Sequence, residues 1–186
     1  PGCPMGKYGI VAGATSESSC ASCPRGTYNA GLGSEECQVC PPGSKCPKLQ
    51  HTNYTNCEAG TYNQYSNQTE CVDSPAGRYQ GSEGAAVCEA CPAGRYLNTT
   101  GAVSSTECKD CKKGTYTNIT GSAQCTGCSL GYVCDATRMR AGVKCQAGKY
   151  GYYDTESGVS ACRNCSTGTY QAEEGQVVCE DCPQGR

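Results

Sequence analysis

Residues 165–179 read CSTGTYQAEEGQVVC, and this pattern decides the fold of the chain. A cysteine opens a C-x-x-G-x-Y motif that ends at Tyr170, and Gly175 stands four residues before the closing cysteine. Glycine tolerates a positive φ, and β-forming residues precede the closing cysteine. The pattern therefore predicts a small hairpin with a turn in its middle and a disulfide across its ends.

The same motif recurs along the chain. It begins at Cys3, Cys23, Cys57, Cys91, Cys111, Cys145 and Cys165. Counted from the cysteine, Pro in second place and Gly in fourth place are the preferences of a type I turn, so we expect that turn after each opening cysteine. A second position, four residues before six of the closing cysteines, is expected to have a positive φ at Gly33, Asn67, Gly84, Gly121, Gly158 and Gly175.

A larger repeat contains these units. Seven cysteines recur 88 residues further on, with Cys3, Cys20, Cys23, Cys37, Cys40, Cys46 and Cys57 matched by Cys91, Cys108, Cys111, Cys125, Cys128, Cys134 and Cys145. A nested repeat of this kind is typical of an elongated array. We expect a first block over 3–90 with units 3–20, 23–37, 40–56, 57–71 and 74–88, a second block over 91–181 with units 91–108, 111–125, 128–144, 145–162 and 165–179, and the start of a truncated further unit over 182–186.

Composition gives the fold class. The chain has 20 Cys in 186 residues, no Phe and no Trp, so a large hydrophobic core cannot form. We predict a small disulfide-rich fold that is mostly irregular with short β-hairpins, arranged as an elongated tandem-repeat rod. Disulfides at this density require an oxidising compartment, which predicts a protein that is secreted or on the extracellular face of the cell surface.

Spacing predicts a sequential disulfide pairing. It joins Cys3 to Cys20, Cys23 to Cys37, Cys57 to Cys71, Cys91 to Cys108, Cys111 to Cys125, Cys145 to Cys162 and Cys165 to Cys179. Connectivity does not follow from sequence alone, and crossed pairing between neighbouring units is the rival. The short C-x5-C loops, Cys40 to Cys46 and Cys128 to Cys134, are expected to close on themselves as a kink or connector in each block. Pairing of Cys40 and Cys46 with Cys57 and Cys71 uses the same number of cysteines, and so does pairing of Cys128 and Cys134 with Cys145 and Cys162.

Two cysteines are left over. Ser74 stands where the second block has Cys165, so Cys88 lacks its natural partner, and Cys182 opens a unit that the sequence does not close. An unpaired cysteine in a secreted protein suggests an intermolecular disulfide or a reactive thiol. A shifted local pairing or a buried, inert thiol is the alternative for Cys88.

Sequons and charge indicate the partners. Five N-x-S/T triplets predict N-glycosylation at Asn53, Asn67, Asn98, Asn118 and Asn164. The net charge of −2 is close to neutral, which argues against nucleic acid or an anionic membrane as partner. We therefore expect covalent glycans, self-association or other extracellular proteins, and no direct membrane contact from this segment.

The sequence contains few residues that could support catalysis or bind a metal ion. His51 is the only histidine, in an irregular connector, and no nucleophile has a partnered base in the sequence. Zinc is the chemical rival, because C-x-x-C pairs such as Cys20/Cys23 and Cys37/Cys40 overlap the spacing of zinc ribbons. The regular Pro and Gly after each second cysteine and the sequons favour disulfides. We expect no enzyme activity, no cofactor and no bound metal.

The pattern C-x-x-C-P-x-G-x-Y followed by G-x-x-x-C resembles the tandem ephrin-receptor-like cysteine-rich repeats, which are similar to the first module of tumour-necrosis-factor-receptor domains. CASCPRGTY at 20–28, CEACPAGRY at 88–96 and CEDCPQG at 179–185 carry the resemblance. Such repeats occur in receptor ectodomains and in structural extracellular proteins. Near-copy repetition favours a structural glycoprotein, a rod or a fibre or coat subunit, over a ligand-binding or spacer segment of a receptor or a secreted signalling protein.

Overall fold

The structure is a computed structural model, and it describes residues 2–11 and 16–183. Part of the first predicted unit, residues 12–15, and part of the predicted further unit, residues 184–186, lie outside the described residues. Within the described ranges, helix is limited to two single 3-10 turns, Glu17–Ser19 and Ser105–Glu107. No helix there is long and apolar enough to cross a membrane.

Short strands pair two by two into hairpins. The described residues form ten two-stranded sheets, and strands consecutive in sequence are partners. The strands are β1 Lys7–Gly9, β2 Cys20–Ser22, β3 Thr27–Tyr28, β4 Gln38–Val39, β5 Ser44–Lys45, β6 Thr55–Asn56, β7 Thr61–Tyr62, β8 Val72–Asp73, β9 Arg78–Tyr79, β10 Glu89–Ala90, β11 Arg95–Tyr96, β12 Lys109–Asp110, β13 Thr115–Tyr116, β14 Thr126–Gly127, β15 Tyr132–Val133, β16 Val143–Lys144, β17 Lys149–Asp154, β18 Val159–Asn164, β19 Thr169–Tyr170 and β20 Glu180–Asp181. The predicted disulfide-rich class of short hairpins is confirmed.

The turn after each opening cysteine differs from the prediction. The hydrogen bond that closes it runs from Lys7 N to the Pro4 carbonyl oxygen in the first unit, at 3.1 Å. Gly6 is therefore the third residue of the turn, and its φ is 79°. A positive φ at that place belongs to a type II turn, so the predicted type I turn is wrong. The turn begins at the residue after the cysteine and not at the cysteine itself, which moves the glycine from the fourth position of the turn to the third.

Disulfides take the place of a hydrophobic core. Nine of them close in sequential order: Cys3–Cys20, Cys23–Cys37, Cys40–Cys46, Cys57–Cys71, Cys91–Cys108, Cys111–Cys125, Cys128–Cys134, Cys145–Cys162 and Cys165–Cys179. Their Cα–Cα distances of 5.5–6.3 Å lie in the ordinary range for a disulfide. Leu97 and Ala102 are the buried apolar side chains other than cysteine in the described part of the chain.

The two C-x5-C segments are regular hairpins and make no kink in the strand register. Ser44 pairs with Asn56 in the same register in which Thr27 pairs with Val39 one unit earlier. What changes is the disulfide partner, because Cys46 occupies the place of the residue that follows the motif tyrosine elsewhere. The cross-link therefore lies inside the hairpin, and the strands keep their pairing.

The chain divides into two compact units. One comprises Pro1–Glu89 with Thr99–Ser105, and the other comprises Ala90–Asn98 with Thr106–Arg186. The hairpin that opens at Cys91 is therefore divided between the two, with Thr99–Ser105 assigned to the first unit and its remaining residues to the second.

Candidate functional site

Backbone hydrogen bonds join most consecutive hairpins, and we call these bonds the hairpin seam. Between the hairpins that open at Cys128 and Cys145, the Ser160 hydroxyl instead donates to the Cys128 carbonyl at 2.8 Å. In the first set, the motif glycine donates its N–H to a carbonyl just after the first strand of the following hairpin. The donor–acceptor distances are 2.7–2.9 Å, and the pairs are Gly6–Asn29, Gly26–Cys46, Gly43–Asn63, Gly60–Gln80, Gly94–Thr117, Gly114–Cys134 and Gly148–Gln171. The type II turn presents this N–H outward, so the motif glycine is part of the assembly between hairpins.

A second set of seam bonds runs in the opposite direction. In eight of the hairpins a residue with positive φ near the tip donates its N–H to the carbonyl of the opening residue of the hairpin before it. The distances are again 2.7–2.9 Å, and the pairs are Gly33–Cys3, Gln50–Cys23, Asn67–Cys40, Gly84–Cys57, Gly101–Ser74, Gly121–Cys91, Arg138–Cys111 and Gly175–Cys145. Two reciprocal bonds therefore fix the position of one hairpin on the next.

The predicted positive φ values are confirmed, and the structure adds three more. The six predicted positions have φ of 63–76°. Gln50, Gly101 and Arg138, at φ of 58°, 71° and 61°, donate seam bonds as five of the predicted residues do. Gly158 is the exception, because its N–H donates to the Asp154 carbonyl of its own hairpin at 2.8 Å. The sequence signal that finds them is spacing, since Gly33, Gln50, Asn67, Gly84 and Gly101 recur every 17 residues.

Motif glycines also contact the hairpin after the next one. A Cβ added to Gly94 would overlap the Arg138 carbonyl, and one added to Gly43 would overlap the carbonyl of Gly84. Gly26 is in the same way covered by the Asn67 backbone and amide. The chain at these points approaches so closely that only hydrogen fits, a constraint separate from the positive φ.

Polar side chains fill the space beneath the seam. Asn63 is 2% exposed and donates from Nδ2 to the Ser44 carbonyl of the previous hairpin at 2.8 Å and to the Glu70 carbonyl of its own hairpin at 2.9 Å. Asn29 donates to the Lys7 carbonyl in the same way, at 2.6 Å. These amides satisfy buried carbonyls that would otherwise lack partners.

Ser74 substitutes for an opening cysteine in the seam. Its N–H donates to the Gly60 carbonyl at 2.8 Å and its carbonyl accepts from Gly101 at 2.8 Å, as the backbone of an opening cysteine does elsewhere. Its hydroxyl lies 2.9 Å from the Cys88 thiol, and both side chains are buried. Cys88 and Cys182 are the free cysteines among the described residues, and Cys182 is exposed. Burial of Cys88 beside Ser74 favours the inert-thiol interpretation over a cross-link between chains.

The five sequon asparagines are all exposed: Asn53, Asn67, Asn98, Asn118 and Asn164. Asn98 and Asn118 lie at the same place on neighbouring hairpins, two residues after a motif tyrosine. Asn67 is also a seam residue, and it packs its side chain against Gly26. Exposure of every acceptor asparagine leaves each side chain accessible to a glycosylating enzyme.

His51 is less solvated than its place in a polar connector predicts. Its Nδ1 lies 3.1 Å from the Asn53 carbonyl, whereas its Nε2 is buried without a hydrogen-bond partner. Among the residues that the structure describes, no group of three or more His, Cys, Asp or Glu side chains is arranged to hold a metal ion. The contacts that recur along the described residues are those of the seam, which are backbone hydrogen bonds between hairpins.

Two tyrosines at equivalent positions of their hairpins each donate a hydrogen bond to a glutamate. Tyr79 donates its hydroxyl to Glu89 at 2.6 Å, and Tyr170 donates to Glu180 at 3.0 Å. The hydrogen bond to Glu89 raises the pKa of Tyr79, with burial and the carboxylate charge adding to it, and the hydrogen bond to Glu180 raises the pKa of Tyr170.

Replacing Glu89 with Gln is expected to lower the pKa of Tyr79 towards its ordinary value of about 10. Because the folded pKa is raised, the contribution of this pair to stability is present below the unfolded pKa and is lost as the pH rises through the folded one. Phenolate absorbance followed from neutral to alkaline pH measures the shift. E180Q is the matched variant at Tyr170, and an unchanged tyrosine titration in E89Q would show that the Tyr79 contact is absent in solution.

Comparison with known proteins gives a partial match. The family model described as tyrosine-protein kinase ephrin type A/B receptor-like matches residues 60–108 and 151–186. No curated protein matches the chain. The two matched segments hold the Ser74 hairpin and the long hairpin of β17 and β18. The chain therefore contains segments similar to receptor-like cysteine-rich repeats, which together with its disulfides fit an extracellular location.

Proposed function

We propose that this chain is a structural segment of an extracellular glycoprotein, a repeat unit of a fibre or coat, with no enzymatic activity. The hairpin seam is the observation that carries this function. Its bonds are made by backbone groups, so hairpins with different surface sequences attach to one another in the same way. Stacking of that kind gives regular placement of surface groups, which a fibre or coat subunit needs.

The exposed surface supports a role in display and contact. Five exposed sequons provide for covalent glycans, and exposed apolar side chains such as Leu32 and Tyr65 lie at hairpin tips, 75% and 68% exposed. Scattered apolar groups on a repeated scaffold are suited to contacts with further copies of the chain or with other extracellular proteins. The near-neutral net charge gives no support to a nucleic acid or an anionic membrane as partner.

A receptor-type segment is the second candidate, and the receptor-like match over residues 60–108 and 151–186 favours it. In that case the hairpins joined by the seam form a spacer, and their surface carries a binding site for a soluble ligand. Ligand-binding surfaces concentrate their energy in a few well-packed anchors, frequently Trp, Tyr and Arg. Arg163 lies 4.2 Å above the Tyr152 ring, which makes the β17–β18 hairpin the place where such anchors would be sought.

Electron microscopy of the native glycoprotein separates the two candidates. A structural subunit is expected to be found in an ordered polymer with an axial repeat that immunogold labelling of this segment reproduces. Monodisperse particles that capture a soluble extracellular ligand, with no labelled polymer, would overturn the structural proposal in favour of the receptor one.

A further inference from the structure

A cavity of about 370 Å³ opens beside one of the sequons. Tyr116, Asn118, Ser129, Tyr132 and Gly142 line it, and all of them belong to the same compact unit. Both tyrosines are half-buried, and Asn118 is exposed. The volume lies at the lower end of the range for small-molecule sites, roughly 300–1,000 Å³.

The cavity lies beside the displaced disulfide of the C-x5-C hairpin, and Cys128 is among its lining residues. In a regular hairpin the closing cysteine stands 14 residues after the opening one, as in Cys111–Cys125. Counted from Cys128, that place is held by Gly142, because the disulfide partner has moved to Cys134. A glycine therefore stands where a regular hairpin has its closing half-cystine, and Cys128 Sγ and Tyr132 lie 2.9 Å and 3.0 Å from where its Cβ would be.

The first block fills the equivalent space with its own side chain. Tyr54 stands 88 residues before Gly142, and Tyr28 stands 88 residues before Tyr116. The Tyr28 and Tyr54 rings meet edge to face, with centroids 5.4 Å apart. The ring that packs on the motif tyrosine in the first block, Tyr54, thus has no counterpart in the second, where Tyr132 stands at the equivalent of Ser44 and lines the cavity.

The sequon at Asn118 is also present in the second block and absent at the equivalent place in the first. Asn118-Ile119-Thr120 is a sequon, whereas the equivalent residue in the first block is Ala30. The acceptor asparagine therefore borders this space only in the block that lacks a counterpart of Tyr54.

We propose that Asn118 carries an N-linked glycan whose first sugar, an N-acetylhexosamine, occupies this cavity against the rings of Tyr116 and Tyr132. Attachment joins the sugar C1 to Asn118 Nδ2, while the bond from C1 to a lipid-linked diphosphate breaks. The diphosphate leaves with the bonding electron pair, and the amide loses one proton. The proposal deepens the proposed extracellular glycoprotein and rests on it.

The lining has the groups that a sugar needs. The faces of Tyr116 and Tyr132 offer apolar surface with a negative quadrupole to the C–H side of a pyranose ring. The Ser129 hydroxyl and the tyrosine hydroxyls can each donate and accept hydrogen bonds towards the hydroxyl and acetamido groups. Tethering at Asn118 removes most of the entropy cost of binding, so even weak contacts order the sugar.

Site-specific mass spectrometry and NMR of the full chain, secreted from eukaryotic cells, test the proposal. Asn98 is the matched control, because it occupies the same position on its hairpin and the following hairpin has a regular closing cysteine at Cys125. We expect a glycan at Asn118 and nuclear Overhauser contacts from its first sugar to the rings of Tyr116 and Tyr132. The first sugar on Asn98 is expected to show no such contacts.

Trimming gives an independent measurement. An endoglycosidase that leaves one sugar on each asparagine is expected to preserve the melting temperature. Asn118→Gln is expected to lower it by roughly 2–4 °C, and Asn98→Gln to leave it unchanged within error. The double variant Tyr132→Ser, Gly142→Tyr restores the residues of the first block, and in it the contacts to the sugar are expected to be lost.

Three outcomes would overturn the proposal. They are a glycan on Asn118 whose first sugar is as mobile as that on Asn98, an unoccupied Asn118 in a chain glycosylated elsewhere, and contacts that persist in the double variant. Each leaves the structural function standing, because that function depends on polymer formation. A chain secreted without any N-glycan would contradict both the cavity proposal and the glycoprotein character of the proposed function.

Discussion

Replacing Gly94 with alanine is expected to destabilise the folded chain by about 2–5 kcal/mol. Two terms contribute. The φ of 85° disfavours any residue with a Cβ, and the added methyl group overlaps the Arg138 carbonyl of the next-but-one hairpin. The second term is specific to the stacking of hairpins, so the two must be separated.

Gly148 is the control for the Gly94 substitution. Its φ is 81°, its N–H bonds to the next hairpin at 2.7 Å, and its carbonyl accepts from the following cysteine at 2.9 Å, as in the Gly94 hairpin. It differs in one respect, since no described residue lies within 4 Å of a Cβ placed on it. Gly148→Ala is therefore expected to cost only the backbone term, about 1–2 kcal/mol.

Denaturant unfolding with the disulfides intact measures both variants. The stacking contact predicts that Gly94→Ala unfolds at a clearly lower denaturant midpoint than Gly148→Ala, with similar m-values. Equal midpoints would mean that the contact between alternate hairpins is not made in solution.

Ser74→Cys is expected to create a tenth disulfide and to stabilise the chain by about 3 kcal/mol in the chain-entropy account of a loop of this length. The Ser74 hydroxyl already lies 2.9 Å from the Cys88 thiol. The equivalent pair in the second block, Cys165–Cys179, is bonded with a Cα–Cα distance of 5.9 Å. The hairpin around Ser74 thus places the two side chains close enough for a disulfide that its sequence does not provide.

Alkylation before and after unfolding, followed by peptide mapping, detects the new bond. Cys88 is expected to react only after unfolding in the natural chain and to stay unreactive without reductant in the S74C variant. Ser74→Ala is the control, and it should leave the thiol count unchanged while lowering stability by about 1 kcal/mol. Free thiols at both positions of S74C after oxidative folding would show that the two side chains are not adjacent.

The hairpins and their disulfides could be predicted because cysteine spacing encodes local structure. Cys165 and Cys179 are separated by one turn signal and a few β-forming residues, and the nearest partner in sequence is also the nearest in space. The same logic gave the self-closing Cys40–Cys46 loop. It misjudged the fold around that loop, because a moved cross-link leaves the strand pairing intact.

The seam could not be predicted from residue types because it is made of backbone groups. Gln50 and Arg138 have side chains unlike glycine, yet both adopt a positive φ and donate the same bond. Only their spacing along the chain marks them. Arg138 also brings its guanidinium to 3.4 Å from Asp110, which Arg95 contacts at 2.7 Å. This cluster of Asp110 with two arginines depends on how the hairpins stack, so no local sequence pattern predicts it.

Native-state hydrogen exchange, followed residue by residue with all disulfides oxidised, tests the seam most directly. The amides of Gly43 and Gly84 in one compact unit, and of Gly94 and Gly121 in the other, donate seam bonds of 2.8–2.9 Å. They are predicted to exchange orders of magnitude more slowly than the same residues in unstructured peptides. Exchange of these four amides at the unstructured rate, in a chain whose disulfides are all formed, would contradict the account.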